Sequence, residues 1–359
     1  MLAFELDFAD ALIDIDRKLT VKGAPAHTEL VIHSKTERAG QIWRSQITVQ
    51  TDEHGMVNLA DVVPSAGSYT TAQPMGLIYT QLAENAASTE LFPVSVHHAL
   101  HTELEAHCAG QVAKTVLTQR LTHATVQRVE INQPGFHGIM FVPSTAGDKP
   151  AVMVLKNQSA APLDEAHAAL YAARGYIALA LDYAQTPSLD TDPEALMPFK
   201  LALAWLRTTM RPKHNFVAVS GYQQGAELAL LLGVQLADQV SAVIACEPTA
   251  AVRSPYPLAV ENSLGPILLA SGQQHVSSQY HHTIGQRLEQ AGFDYNFQWY
   301  DFEGVGAGLS FAHVPTLHLC PDAEQALRLA AANKELWFAI IGFLHQAVIE
   351  AARPTQLHA

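Results

Sequence analysis

The feature that most constrains this chain is a strand–turn–helix segment centred on Gln223. Residues 216–220 form a short, mostly apolar run with two valines, and residues 221–225 read Gly-Tyr-Gln-Gln-Gly. A helical pattern rich in Ala and Leu follows over residues 226–232. A buried strand that turns sharply between two glycines into a helix presents the middle residue of the turn at the edge of a sheet. The segment therefore predicts a βα unit with Gln223 at the apex of the turn.

The residue at this apex decides which chemistry the turn can carry. In a G-x-S-x-G turn the middle residue is a nucleophile. A carboxamide has no acidic proton for a base to remove and forms neither an alkoxide nor a thiolate, so Gln223 cannot attack an acyl carbon. The sequence predicts a nucleophile elbow without a nucleophile.

Composition sets broad limits on partners and location. A chain of 359 residues is long for a single core, and a formal net charge of −13 argues against nucleic acid as a partner. Three cysteines suit a reducing compartment, and the acidic amino terminus lacks the basic region of a signal peptide. No apolar run reaches the roughly 20 residues of a membrane-spanning helix. We predict a cytoplasmic protein without a membrane span, and the oligomeric state stays open.

The first part of the chain, residues 1–124, has the pattern of an all-β domain. Strand candidates rich in β-branched residues occupy residues 18–22, 29–33 and 42–49, and a turn pattern covers residues 52–55. Residues 94–107 alternate but contain four histidines, and they are also assigned to a strand. Short strands at this spacing predict an immunoglobulin-like β-sandwich.

The second part, residues 125–359, alternates strands with helices. An antiparallel hairpin is predicted over residues 126–142, and continuous apolar strands then alternate with helices as far as a closing helix at 322–351. Strands without a polar face are typical of sheets that are covered on both sides. The order of elements predicts a doubly wound, mostly parallel sheet, an α/β-hydrolase fold.

An ordered series of short motifs in the first part resembles a known family. Residues 55–59 read Gly-Met-Val-Asn-Leu, residues 64–69 read Pro-Ser-Ala-Gly-Ser-Tyr, and residues 74–77 read Pro-Met-Gly-Leu. These strings are similar to the G-x-V-x-L, P-x-x-G-x-Y and P-M-G-L series of the acyl-CoA thioesterase and bile acid-CoA:amino acid N-acyltransferase family. In the second part, residues 173–176, 221–227 and 272–273 also follow the family's order, although a stretch that the family has before Pro266 is missing.

The resemblance implies a fold and an activity. It implies a β-sandwich joined to an α/β-hydrolase domain, and the hydrolysis or transfer of acyl groups from CoA thioesters in fatty acid metabolism by a triad of Ser or Cys, His and Asp. The family's nucleophile falls on Gln223, its acid falls on Gln274 within Gly272-Gln273-Gln274, and its base falls on Ala307 within Gly304-Val305-Gly306-Ala307. All three positions have lost the side chains that the triad needs.

Part of an oxyanion site is expected to survive. The backbone N–H of Gln224 should lie at the start of the helix after the turn, where unpaired donors favour an anion or a carbonyl oxygen. The loop that begins with Lys156 and contains Asn157 is its expected partner, although it lacks the family's glycines. Gln224 and Asn157 are therefore predicted to contact a ligand, unless Gln223 fills the former site itself.

Several residues near the triad positions are candidate substitutes for the triad. His275 lies beside the acid position and His313 lies just after the base position, so either is a candidate base for an attacking water. Ser220 is expected to face the helices, and Cys246 is expected to be a buried, unreactive thiol. The histidines at 97, 98, 101, 107, 281 and 282 lack metal-ligand spacing and are interpreted as solvated.

The sequence thus predicts a catalytically degenerate relative of the acyl-CoA thioesterases. Its expected ligand is an acyl-CoA or another acyl small molecule, or else it binds a protein partner; no cofactor and no metal are expected. The alternative is an active thioester hydrolase or acyltransferase that uses a different site built on His275 or His313.

Overall fold

A computed structural model of the chain describes residues 1–86, 88–158, 162, 164–184, 193–248, 258–276 and 278–352. For residues 193 and 279–281 it describes the backbone alone. No described helix is both long enough and apolar enough to cross a membrane.

The strands and helices are numbered in chain order and have the following bounds. The strands are β1 Ala3–Leu6, β2 Asp10–Leu12, β3 Leu19–Lys22, β4 Glu29–Arg38, β5 Gln41–Gln50, β6 Val57–Asn58, β7 Ala66–Gly67, β8 Leu82–Ala83, β9 Leu100–Cys108, β10 Gln111–Arg120, β11 Val126–Gln133, β12 Phe136–Pro143, β13 Ala151–Val154, β14 Ile177–Asp182, β15 Val217–Tyr222, β16 Ala242–Cys246, β17 Ile267–Gly272 and β18 Phe297–Phe302. The helices are α1 Gly76–Tyr79, α2 Glu165–Ala173, α3 Met197–Trp205, α4 Gln224–Gln235, α5 Ser278–Ala291 and α6 Ala323–Ala351.

The chain divides into two compact units. Unit 1 comprises Met1–Leu121 and Ser310–Glu335, and unit 2 comprises Thr122–Leu309 and Leu336–Ala359. That residues 1–124 and 125–359 are separate domains remains a prediction.

Unit 1 is built mostly from β-strands. Its larger sheet has the order β2-β10-β9-β4-β5-β7, with β8 also paired to β5, and its smaller sheet has the order β1-β3-β6. Residues on β4, β5 and β9 alternate between buried and exposed, because one face of the sheet packs on the core and the other meets water. The alternation predicted over residues 94–107 is only partly correct, since β9 begins at Leu100 and His98 lies in a turn before it.

Unit 2 contains an eight-stranded sheet in the order β11-β12-β14-β13-β15-β16-β17-β18. The first two pairings are antiparallel, and every pairing from β14 to β18 is parallel. β13, β15, β16 and β17 are buried at every residue, as strands covered on both faces must be. The predicted doubly wound, mostly parallel sheet is confirmed.

The sheet topology brings the candidate residues to one edge. β15 pairs with β13 on one side and with β16 on the other, so the carboxyl ends of these strands are neighbours. In open α/β sheets ligands collect beyond the carboxyl ends of the strands. Gln223, Asn157 and the residues after β16 all follow these ends, and they form the region where a site is expected.

Candidate functional site

The turn after β15 has the strained backbone of a nucleophile elbow. Gln223 has φ of 51° and ψ of −118°, a region that non-glycine residues rarely adopt and that costs about 1–3 kcal/mol. Its N–H donates to the Cys246 carbonyl at 2.8 Å, and its own carbonyl accepts from the N–H groups of Ala226 and Glu227. The sharp strand-to-helix turn therefore persists although its apex carries an amide.

The two flanking glycines are required by close packing. A Cβ on Gly221 would lie 2.2 Å from the main chain of Gly225, and a Cβ on Gly225 would lie 2.6 Å from the Lys156 carbonyl oxygen. Real Cβ atoms do not approach backbone so closely. The sequence keeps the two residues that let helix α4 start against β15, and this is why the turn can form.

The predicted oxyanion residues lie together, but they bond to each other. The Gln224 N–H donates to the Asn157 main-chain carbonyl at 3.2 Å. An N–H that already donates to a carbonyl is not available to stabilise an oxyanion, because its hydrogen bond would first have to break. The ligand contacts predicted for Gln224 and Asn157 stay a prediction.

The acid and base positions lie in two neighbouring loops after β17 and β18. Gln274 is exposed, and its main-chain N–H donates to the Val305 carbonyl at 2.9 Å. Ala307 is exposed in the loop that follows β18, and its methyl group can neither accept nor donate a proton. The two loops are held together through main-chain bonds, without the side chains that a triad needs.

The two substitute histidines lie in different surroundings. His275 is half-buried in the loop after β17, and partial burial lowers its pKa, which favours a neutral imidazole. His313 belongs to unit 1 and is fully buried. Its Nδ1 lies 2.7 Å from the Tyr79 hydroxyl, and its Nε2 lies 3.2 Å from Asp16 Oδ1. His313 thus lies in unit 1 between the buried Tyr79 hydroxyl and the largely exposed Asp16 carboxylate, and its Nε2 lies near Asp16 without a well-aligned hydrogen bond.

Ser220 and Cys246 lie beneath the turn. The Ser220 hydroxyl is 3.0 Å from the hydroxyl of Tyr171 on α2, so it faces a helix as expected. Cys246 is fully buried, and burial raises the pKa of its thiol well above the usual range. Neither side chain has the access or the ionisation state that a nucleophile needs.

The clustered histidines make ordinary side-chain contacts. His107 Nε2 pairs with Glu105 at 2.7 Å, and His101 Nδ1 lies 3.1 Å from the Thr118 hydroxyl. The His282 ring packs edge-to-face on Trp299 at 4.4 Å between centroids. These contacts account for three of the six histidines without invoking a metal.

A buried carboxylate next to the turn was not predicted. Glu247 directly follows β16, has no solvent exposure and has φ of 55°. Its Oε1 accepts hydrogen bonds from the N–H groups of Gly308 at 2.9 Å and Leu309 at 3.0 Å. Burial raises its pKa to about 7, although the two N–H donors oppose the shift. Glu247 thus holds the loop that contains Ala307. The sequence feature that could have predicted it is an acidic residue directly after an apolar strand.

A second unpredicted group lies behind the turn. Asp164 caps α2, and its Oδ2 lies 2.7 Å from Nδ1 of His167. The buried His167 ring stacks on the Tyr222 ring at 4.6 Å between centroids. The Asp164 carboxylate orients the His167 ring as a carboxylate orients the base of a catalytic triad, but the ring faces Tyr222. Burial raises the pKa of the Tyr222 phenol well above its usual value. A phenol held protonated in this way is a poor nucleophile.

The geometry and the side chains together limit the chemistry. The turn presents Gln223 half-buried at the sheet edge, and the potential oxyanion donor is engaged. The carboxylate of Glu247, directly after β16, bonds to the main chain of a loop. Among the described residues, the apex of the turn therefore carries an amide in place of a hydroxyl or a thiol.

Comparison with known families locates both parts of the chain. The profile of the dienelactone hydrolase family matches residues 136–348. The profile described as acyl-CoA thioester hydrolase/BAAT N-terminal region matches residues 14–133. The resemblance inferred from the sequence motifs is thereby confirmed.

Individual relatives agree with these profiles. Acyl-coenzyme A thioesterase 6 of Mus musculus is 26% identical over 238 residues, which are 63% of this chain and 56% of the relative. Acyl-coenzyme A amino acid N-acyltransferase 2 of Mus musculus is 24% identical over 253 residues, 67% of this chain and 60% of the relative. The matches therefore span little more than half the length of these relatives.

A solved structure superposes on part of this chain. A putative dienelactone hydrolase from Klebsiella pneumoniae subsp. pneumoniae MGH 78578 superposes with a TM-score of 0.47 at 16% identity, over 62% of this chain and 99% of that one. The family assignment itself rests on the profiles, of which the longer covers more than half of the chain. This chain belongs to the dienelactone hydrolase family, with an N-terminal region of the acyl-CoA thioester hydrolase/BAAT type.

Proposed function

We propose that this chain is a non-hydrolytic member of its family that binds an acyl-CoA or a related acyl compound at the carboxyl edge of the large sheet. The observation that carries the proposal is the strained elbow with Gln223 at its apex. A chain that keeps the costly turn but replaces the nucleophile by an amide retains a binding geometry and loses acyl-enzyme chemistry.

The hydrogen bond of Gln224 supports the same proposal. In an acyl-transfer enzyme the N–H after the nucleophile stabilises the oxyanion of the transition state. Here that N–H donates to the Asn157 carbonyl, so a bound thioester receives no stabilisation from it as its carbonyl is attacked. The half-buried Gln223 amide offers one acceptor and two donors, which suit a ground-state carbonyl or amide group.

The ligand class follows from the relatives. The mouse relatives are named as acyl-coenzyme A thioesterases and as an acyl-coenzyme A amino acid N-acyltransferase. An acyl thioester is therefore the first ligand class to test, and a protein partner is the alternative if no acyl compound binds.

Binding and hydrolysis are separated by measuring both on one panel of acyl-CoA thioesters of increasing chain length, with free CoA as the reference. Calorimetry measures binding, and a thiol reagent measures release of CoA. We expect binding of at least one thioester with thiol release at the rate of buffer alone. Turnover well above buffer would contradict the proposal, and failure of every thioester to bind would overturn its ligand part.

Replacement of the amide tests whether only the nucleophile is missing. Gln223→Ser is expected to leave thiol release at background, because the positions of Gln274 and Ala307 still lack an acid and a base. Gln223→Cys combined with Ala307→His is expected to give measurable acylation by a reactive ester. Gln235→Ser, an exposed glutamine at the other end of α4, is the matched control. Full turnover by Gln223→Ser would show that a base is present.

One observation favours a second candidate, an active hydrolase that uses a histidine and a water. His275 lies half-buried in the loop after β17, and its lowered pKa favours the neutral imidazole, the form that can accept a proton from water. Under this alternative, thiol release by the unmodified protein would be abolished by His275→Ala. His313→Ala would abolish it if His313 were the base.

A further inference from the structure

Arg38 at the end of β4 is a fully buried cation with few partners. Its side chain has no solvent exposure. Nη1 donates to the Leu91 carbonyl at 2.7 Å, and Nη2 lies 3.3 Å from Oε1 of Gln81. Nε has no hydrogen-bond partner. A guanidinium has five N–H donors, so most of the hydrogen-bonding capacity of Arg38 is unused.

No carboxylate balances this charge within the described part of unit 1. The pKa of Arg38 is lowered to about 9, and burial is the cause, with no opposing contribution from an acidic group. The side chain therefore remains charged at neutral pH. A buried charge without a counter-ion costs several kcal/mol, so its retention calls for a negative partner.

Arg17 shows how the same unit normally treats a buried guanidinium. It is also almost completely buried, but it donates to four main-chain carbonyls, those of Ala11, Leu12, Ile15 and Thr118. Several aspartates around it also favour its charged form and oppose the lowering of its pKa by burial. Nε of Arg17 also has no partner. Arg38 differs in that it has only one carbonyl and one amide as acceptors and no acidic group that opposes the lowering of its pKa by burial.

Two further donors without partners lie near Arg38. The Trp43 side chain is fully buried, and its Nε1 has no hydrogen-bond partner. The half-buried His318 packs edge-to-face on Trp43 with 5.2 Å between ring centroids, and its Nδ1 also lacks a partner. Trp43 pairs with Thr36 across the β4–β5 hairpin, two residues from Arg38 on the same face. Burial lowers the pKa of His318, and the positive charge of Arg38 lowers it further.

We propose that Arg38, Trp43 and His318 form a buried binding site for a small monovalent anion of halide size. Arg38 Nε, Trp43 Nε1 and His318 Nδ1 would donate to it, and the guanidinium would supply the balancing charge. This site lies wholly in unit 1 and is independent of the function proposed for the elbow.

The size of the anion follows from burial. Arg38 and Trp43 have no solvent exposure, so no large ligand reaches both side chains without displacing the core around them. A halide accepts from several donors at once and needs no particular direction of approach. His318, which is only partly buried, is the side chain through which the ion would exchange with solvent.

The first test uses bromide on the unmodified protein. Crystals grown without halide and soaked in sodium bromide are expected to show an anomalous peak within hydrogen-bonding reach of Arg38 Nε and Trp43 Nε1. In solution, replacement of gluconate by bromide at constant ionic strength is expected to raise the midpoint of thermal unfolding by at least about 2 °C, because a ligand that binds only the native state stabilises it. Absence of both signals would overturn the proposal.

Variants test whether the bromide signal depends on Arg38 and Trp43. Trp43→Phe keeps the ring and removes the N–H, and it is expected to raise the apparent Kd for bromide at least about tenfold, as loss of a hydrogen bond to a charged group does. Arg38→Met is expected to abolish the response. Arg44→Met, at a half-exposed arginine on β5 paired with Glu84, is the control and should respond like the unmodified protein. If Arg38→Met does not fold, Trp43→Phe still decides; an equal response in Trp43→Phe and Arg44→Met would refute the site.

Discussion

The elbow in unit 2 and the His313 network in unit 1 differ in which property of a catalytic site they have, the backbone geometry or the side-chain types. At the elbow the backbone is tightly specified, since two glycines allow a turn with φ of 51° at Gln223, but the side chain at the apex is unreactive. Around His313 the side chains form an apparently catalytic series, Tyr79–His313–Asp16–Lys334, with distances of 2.7, 3.2 and 2.8 Å. Those side chains are used to hold residues of unit 1 together.

This contrast shows that catalytic geometry and catalytic residue types are separate properties. A His between a Tyr and an Asp has the composition of a relay, yet His313 is fully buried. The elbow has the strained backbone of a nucleophile elbow and a half-buried apex, yet the residue at the apex is an amide. Function has to be argued from both properties at one place, and in the described residues of this chain we find them at different places.

The largest effect is expected at Gly221, where a substitution tests whether close packing specifies the backbone of the elbow. Gly221→Ala would place a Cβ 2.2 Å from the Gly225 main chain, and we expect a loss of about 4 kcal/mol in the free energy of unfolding. Urea denaturation measures it. Gly342→Ala, whose Cβ would meet nothing within 4 Å in α6, is the control and should be neutral or slightly stabilising. Equal stability of the two variants would show that the turn is not specified by packing.

Glu247 connects the end of β16 to the loop after β18. Its titration should therefore change the stability of the protein with pH. Its pKa in the native state is about 7, against 4.5 for the free side chain, so the native state binds the extra proton between these values. The stabilisation is fully present below pH 4.5 and falls by roughly 3 kcal/mol as the pH rises through 7. We expect Glu247→Gln to remove this dependence, which urea denaturation at pH 5 and pH 8 would measure.

The control for this titration is Glu303→Gln, at an exposed glutamate in the same loop as Ala307. It should keep the pH dependence of the unmodified protein. If Glu247→Gln loses stability between pH 5 and pH 8 as steeply as Glu303→Gln does, another group is responsible.

A smaller effect is expected in the His313 network. His313→Leu would leave the buried Tyr79 hydroxyl without its partner, while Asp16 keeps Lys334, so we expect a loss of about 2 kcal/mol in the free energy of unfolding. His107→Leu removes a half-exposed pair with Glu105 and should change stability by less than about 0.5 kcal/mol. Thiol release from acyl-CoA should not change in either variant. Loss of a measurable activity only in His313→Leu would instead give His313 a catalytic role.

The smallest effect is expected from relief of strain at the apex. Glycine adopts positive φ without a steric penalty, so Gln223→Gly is expected to stabilise the protein by about 1 kcal/mol, as measured by thermal and urea unfolding. Gln235→Gly, at the last residue of α4, is the control and should not stabilise the protein. Destabilisation by Gln223→Gly would mean that the Gln223 side chain makes contacts worth more than the strain.

Much of the fold could be predicted because it is encoded in local patterns. The continuous apolar runs at β13, β15, β16 and β17 predicted a sheet covered on both faces, and Gly221 and Gly225 predicted the turn. Residues 193–210 are less regular than a single helix, since a 3₁₀ turn precedes α3 and a π-helical turn, Leu206–Met210, follows it. Apolar periodicity does not record such changes in winding.

Contacts between residues distant in sequence could not be predicted. Glu247 meets Gly308 and Leu309 only because β16 and the loop after β18 approach in space, 61 and 62 residues apart in the chain. His313 falls near the base position in sequence, but the segment from Ser310 to Glu335 belongs to unit 1. Proximity along the chain suggested a substitute base, and the fold places that histidine in another network.

Mass spectrometry after exposure to a reactive acyl thioester tests the central claim most directly. The protein is incubated with the thioester, quenched and digested, and the peptide that spans Ser220 to Gly225 is examined, with Gln223→Cys/Ala307→His as the positive control. The account predicts an acyl adduct on that peptide in the double variant and none in the unmodified protein. An acyl group on any residue of that segment in the unmodified protein would contradict it.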